Sequence, residues 1–142
     1  MKYLLDTDHI SFLQRRSGLE FNRLTMRMAR YAMVDFAVSV ISFHEQVLGA
    51  HSYINRARTR AETIRGYALL LETLQGYTKV RVLPFDIAAV AVFEALRKQR
   101  VRISTMDLRI AAIALSQNLV LLTRNIRDFS KVPNLVTEDW TI

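Results

Sequence analysis

The chain has 142 residues, no cysteine, and 20 basic against 13 acidic side chains, a formal charge of +7. That length can bury one core without staples, and the missing thiols exclude disulfide scaffolds, thiolate metal centres and cysteine nucleophiles. Sixteen of the basic residues are Arg, whose planar fork suits phosphate and carboxylate, so the charge implies a polyanionic partner, nucleic acid or acidic protein, unless it only solvates the surface.

The start, MKYLLDTDH, meets charge too early for a signal-peptide core, and no apolar run approaches the roughly 20 residues of a membrane helix, so a cytoplasmic protein is expected. Lys2 to Leu5 reads as a short buried strand, with Thr7 or Asp8 capping a helix through Ile10, Phe12 and Leu13. Gly18 breaks that pattern, and residues 19 to 33 carry helical periodicity with Arg23, Arg27 and Arg30 on one face. Residues 35 to 42, DFAVSVIS, are apolar and β-rich, a second strand that turns helical from Ser42. Residues 52 to 77 predict one long or broken helix with Ile64, Tyr67, Leu70, Leu71 and Leu74 on its apolar side and its end near Gly76.

A third strand over 79 to 86 closes at Pro84, a helix follows from Ile87 to Gln99, and another with an alanine-rich face spans 104 to 118. Leu119 to Thr123 is a fourth buried strand, and 135 to 139 an edge strand. Strands that are continuous apolar runs, alternating with helices, predict a single α/β domain over 1–142 with a mostly parallel sheet of four to five strands covered on both faces.

In such a sheet ligands gather beyond the carboxyl ends of the strands. Asp6 follows the first strand, Ser42 and Glu45 the second, Asp107 opens the alanine-rich helix, and Thr123, Asn125 and Asp128 follow the fourth. Carboxylates brought together raise one another's pKa unless a cation intervenes. Oxygen donors with neither Cys nor a spaced His pair favour Mg²⁺ or Mn²⁺, which can activate water and stabilise charge on phosphate. Each acid alone has a structural explanation: Asp6 and Asp8 as strand end and helix cap, Ser42-x-x-Glu45 and Ser104-x-x-Asp107 as capping boxes. Capping does not require Asp6, Glu45 and Asp107 to share a rim, which makes the ensemble the informative feature. His9, His44 and His51 lack ligand spacing and are assigned no role, while Tyr3, Phe12, Phe36 and Phe43 are expected in the core.

LLDTDHIS, SVISFHEQVLGA, MDLRIAAIAL and LLTRNIRDFSKVPNLVTEDW, in this order and over nearly the whole chain, resemble PIN-domain ribonucleases, and among them the VapC-type toxins of bacterial toxin–antitoxin pairs. The resemblance implies a three-layer α/β/α fold and a Mg²⁺- or Mn²⁺-dependent endoribonuclease toxin acting on structured RNA, a tRNA loop in particular. It implies Asp6, Glu45 and Asp107 as metal-binding acids and Thr123 as the hydroxyl beside the fourth acidic position. Many relatives have Asp where this chain has Asn125, which leaves a second metal open, with Asp128 as the compensating acid. Asp8 is either a group orienting Asp6 or a helix cap.

The resemblance further implies a cognate VapB-type antitoxin, operator DNA reached only through that antitoxin, and a homodimer. Leu13, Leu24 and Met28 are expected either in the docking surface or in the core. The rival reading from another class is a non-catalytic antitoxin-binding and operator co-repressor module. A phosphatase of the haloacid-dehalogenase type also shares a strand followed by D-x-D, but its later Gly-Asp pair is absent.

Overall fold

A computed structural model describes residues 1–142. Five strands, β1 (Tyr3–Leu5), β2 (Phe36–Ser39), β3 (Val82–Leu83), β4 (Val120–Leu122) and β5 (Thr137–Glu138), alternate with seven helices: α1 (Thr7–Arg15), α2 (Leu19–Met28), α3 (Val40–Arg56), α4 (Arg60–Tyr77), α5 (Ile87–Lys98), α6 (Thr105–Ser116) and α7 (Ile126–Phe129). All pairings are parallel, in the order β3-β2-β1-β4-β5. The chain builds outward from β1 on one side, then crosses to place β4 on the other. The carboxyl ends of β1 and β4 therefore flank the point where strand order reverses.

The sheet's two faces follow from strand alternation. Leu4, Ala37 and Leu121 point to one side, where α5 and α6 contribute Phe93, Leu96 and the buried run Ile110–Ala114. Leu5, Val38 and Leu122 point to the other, packed with Ile10 and Phe12 of α1, Leu24 of α2, Tyr77 of α4 and Trp140. The alanines of α6 are wholly buried, so the helix lies close to the sheet and Asp107, in its first turn, is held at the rim. No helix is long and apolar enough to cross a membrane.

Several boundaries depart from the sequence expectation. Asp6, not Thr7 or Asp8, is the N-cap of α1, accepting the Thr7 N–H. Helix α3 begins at Val40, and its cap is Ser39, whose hydroxyl accepts from the Ser42 N–H; Ser42 thus lies inside the helix, and no capping box joins it to Glu45. Ser104 does cap α6, accepting from Asp107 N–H at 3.2 Å. The helical stretch over 52–77 divides between the end of α3 and α4, and it packs opposite to the expected side. Ile64, Tyr67, Leu71 and Leu74 are exposed, whereas Gly66, Thr73 and Tyr77 are buried. Gly66 explains this: a Cβ there would stand 2.6 Å from Ile54 Cγ1, so α4 approaches α3 along its glycine face and turns its larger side chains outward.

Candidate active site

Asp6 emerges from β1 into the cap of α1 and is almost wholly buried. Its Oδ1 accepts the Thr7 N–H at 2.8 Å, and its Oδ2 accepts the Thr123 hydroxyl at 2.8 Å. Thr7 reaches the other way as well, its Oγ1 lying 2.9 Å from both Glu45 Oε1 and Ser42 Oγ. One residue therefore ties the end of β1 to the first turns of α3. Thr123, fully buried after β4, accepts the Asn125 N–H while donating to Asp6.

The electrostatics record how near the acids are. Burial pushes the Asp6 carboxyl up to about 7; the Asp8 charge adds to this, the Thr123 and Thr7 hydrogen bonds oppose it, and the Asp107 charge contributes further. Glu45 is raised by burial and by Asp107, against the Thr7 hydrogen bond, and Asp107 is raised by burial and by Asp128 and Asp8, against its bond to Ser104. The Asp107 charge thus reaches both Asp6 and Glu45. No Lys or Arg lies within ion-pairing distance of any of the three.

No group of three or more His, Asp or Glu side chains is close enough, as it stands, to enclose a metal ion. Each acid is instead engaged by a hydroxyl residue, Asp6 by Thr123, Glu45 by Thr7 and Asp107 by Ser104. The donor chemistry nonetheless fits a hard divalent cation, since all three groups are carboxylates, all are partly desolvated, and none is neutralised by a protein cation.

The remaining candidates are divided. Asn125 caps α7, its Oδ1 3.4 Å from the Asp128 N–H and its Nδ2 donating to Asp128 Oδ2 at 3.1 Å. Asp128 also lies 3.7 Å from Lys131 Nζ, so it is partly neutralised yet close enough for its charge to raise Asp107. Asp8 is no cap; its Oδ2 accepts the Arg124 N–H at 2.9 Å and its Oδ1 lies 2.8 Å from His9 Nδ1. Sequence reasoning missed Thr7, which D-T-D conceals as a spacer, and His9, which is wholly buried. Leu24 proves to be core, whereas Leu13 and Met28 line a cleft of about 1160 Å³ between α1, α2 and α4, rimmed by Arg15, Arg16, Arg65, Lys79 and Arg81.

Three comparisons bear on this arrangement. The PIN domain matches residues 3–135. Ribonuclease VapC1 of Haemophilus influenzae is 30% identical over 142 residues, 99% of each chain, and the tRNA(fMet)-specific endonuclease VapC of Salmonella typhimurium is 28% identical over 144, covering 99% of this chain and 98% of that one. The structure of VapBC-1 from nontypeable Haemophilus influenzae superposes over 100% of both chains with a TM-score of 0.70 at 29% identity.

Proposed function

Because the chain belongs to the PIN-domain family, alongside VapC ribonucleases that match it end to end, we propose that it is an endoribonuclease toxin whose active site is the acidic space beyond β1, β2 and β4. The observation that carries this reading is the hydrogen-bond chain from Thr123 to Asp6 and from Thr7 to Glu45, which links acids from distant parts of the sequence beyond the strand ends, with Asp107 in the first turn of α6 and no protein cation paired to any of the three. Asp6, Glu45 and Asp107 would hold Mg²⁺ or Mn²⁺. The chemistry that ion supplies when bound is activation of a water and neutralisation of charge on the scissile phosphate.

The side chains prepare the site. Thr123 and Thr7 donate to the charged forms of Asp6 and Glu45, opposing the burial that would otherwise protonate them. Thr123 also pins the turn that carries Asn125, and Asn125 in turn fixes Asp128 through the cap of α7. Arg124, half-exposed with its guanidinium 4.0 Å from Asp139, would be a cation available to the RNA backbone, which an unpaired loop presents more readily than a duplex. The Salmonella relative is a tRNA(fMet)-specific endonuclease, which makes a tRNA loop the first substrate to test.

The partner reading is compatible with catalysis. The cleft between α1, α2 and α4 joins Leu13, Met28 and Tyr77 to a basic rim, and it suits an antitoxin segment that is apolar on one side and acidic on the other. The antitoxin would bring the pair to operator DNA, and the exposed stripe Ile64, Tyr67, Leu71 and Leu74 of α4 is the surface a second copy would cover in a homodimer. The experiment is cleavage of total RNA with Mg²⁺, with Mn²⁺ and with chelator, for the wild type and Asp6→Asn. Cleavage confined to the metal-supplied wild type is expected. Undiminished cutting by the variant rejects the site, and antitoxin binding without cutting under any divalent ion selects the co-repressor module instead.

A further inference from the structure

His9 is fully buried, three residues beyond Asp6 on the inward face of α1. A buried imidazole is retained only where its nitrogens are satisfied, and both are. The backbone N–H of Trp140 donates to Nε2 at 3.2 Å. An amide N–H has no other role available to it, so Nε2 must accept and the ring proton must sit on Nδ1. Nδ1 then donates to Asp8 Oδ1 at 2.8 Å. Asp139 Oδ1, 3.8 Å from Nε2, is engaged by the Thr141 N–H at 2.8 Å and the Thr141 hydroxyl at 2.6 Å, and it leaves the tautomer to Trp140.

The chain of bonds continues past Asp8. Its Oδ2 accepts the Arg124 N–H at 2.9 Å and lies 3.4 Å from Thr123 Oγ1. Thr123 has one proton to give and two carboxylates to choose from. Asp8 Oδ2 already receives an amide, while Asp6 Oδ2 is nearer at 2.8 Å, so the proton goes to Asp6. Asp8, with a side chain 30% exposed, would be held through Oδ2 alone, and its Oδ1 would be open to water, if His9 did not bond it.

We propose that His9 is a positioning residue of the acidic site, which, with its proton fixed on Nδ1 by the Trp140 amide, holds Asp8 across the β4–α7 turn and so sets the Thr123–Asp6 contact. The segment after β5 thereby helps orient the site although it contributes no acid to it. The inference rests on reading the Asp6 surroundings as the nuclease site.

Two variants separate positioning from packing. Asn at position 9 reaches as far as Nδ1 and can still donate to Asp8, but it leaves the Trp140 N–H without a partner. Gln reaches the place of Nε2 and can still accept from Trp140, but it withdraws the donor from Asp8. For His9→Gln, RNA cleavage is expected to fall by about tenfold or more, with faster hydrogen exchange at the Arg124 amide and little loss of thermal stability. For His9→Asn, lower thermal stability is expected, with cleavage within about threefold of wild type at temperatures where it is folded, since the link to Asp8 survives.

Activity that simply tracks stability in both variants, or an Arg124 amide equally protected in His9→Gln, overturns the proposal. Should both variants fail to fold, ¹⁵N spectra of the wild-type ring decide: a proton on Nδ1 alone is expected, and one on Nε2 refutes the relay. A wild type that cuts no RNA with any divalent ion would defeat the nuclease reading alone, because the Arg124 exchange and ring spectra are measured without substrate.

Discussion

Asp6 concentrates the conflict between stability and function in one carboxyl. Its pKa rises from 3.8 to about 7 in the folded chain, so the native state holds the proton more tightly than the unfolded state does. Without metal, the site therefore imposes no penalty at pH below the unfolded value, and stability declines as pH rises from about 4 through about 7. At about 1.4 kcal/mol per unit, the shift amounts to a penalty of order 4–5 kcal/mol at pH 8. Asp6→Asn should remove this slope and denature later in urea at pH 8 than the wild type, while the two converge below about pH 4. The amide still accepts from Thr7, and the Thr123 hydroxyl can turn to accept from it. A wild-type stability that rises over the same interval would contradict the burial of a charge there. Mg²⁺ should raise the midpoint of the wild type and leave Asp6→Asn unmoved, because a ligand stabilises only the state that binds it.

Glu45 depends on the cap of a helix whose start the sequence reading misplaced. Ser39 and Ser42 both follow apolar residues, and S-x-x-E made Ser42 the apparent cap; the parallel pairing of β2, which runs to Ser39, decides in favour of the earlier serine. Ser39→Ala should cost about 1 kcal/mol of stability and lower the thermal midpoint, with the buried hydroxyl adding to the loss. The glycines of the α3–α4 pair provide a second contrast. Nothing lies within 4 Å of a Cβ at Gly49, so Gly49→Ala should stabilise by roughly 0.5–1 kcal/mol through helix propensity. Gly66→Ala meets Ile54 and Tyr53 across the helix pair and should destabilise by about 1–3 kcal/mol. Opposite signs for the two in denaturant titration are the expected result. Strand and helix identities were legible because the strands are short, continuous, β-rich apolar runs, whereas the helices carry a period of 3.6 residues. The orientation of α4 was not, since periodicity locates an apolar side and cannot tell whether the chain itself covers it.

Charge governs the behaviour of the whole molecule. With 16 Arg and a formal +7, the chain should bind RNA with an affinity that falls steeply with salt, by counterion release, even in the Asp6→Asn variant that cannot cut. A slope of log affinity against log salt near zero would show that the basic residues only solvate the surface. The amino-acid sequence alone determined the alternating β/α order, the parallel sheet, the acids at strand ends and the absence of thiol chemistry, because these depend on local period, composition and residue type. Tertiary structure alone decided that Thr7 bridges Asp6 to Glu45, that His9 links Trp140 to Asp8, and that the apolar stripe of α4 faces outward. Each of these is a contact between segments far apart in the chain or a choice between two faces, and both are set by how helices settle on a sheet whose strand order reverses between β1 and β4.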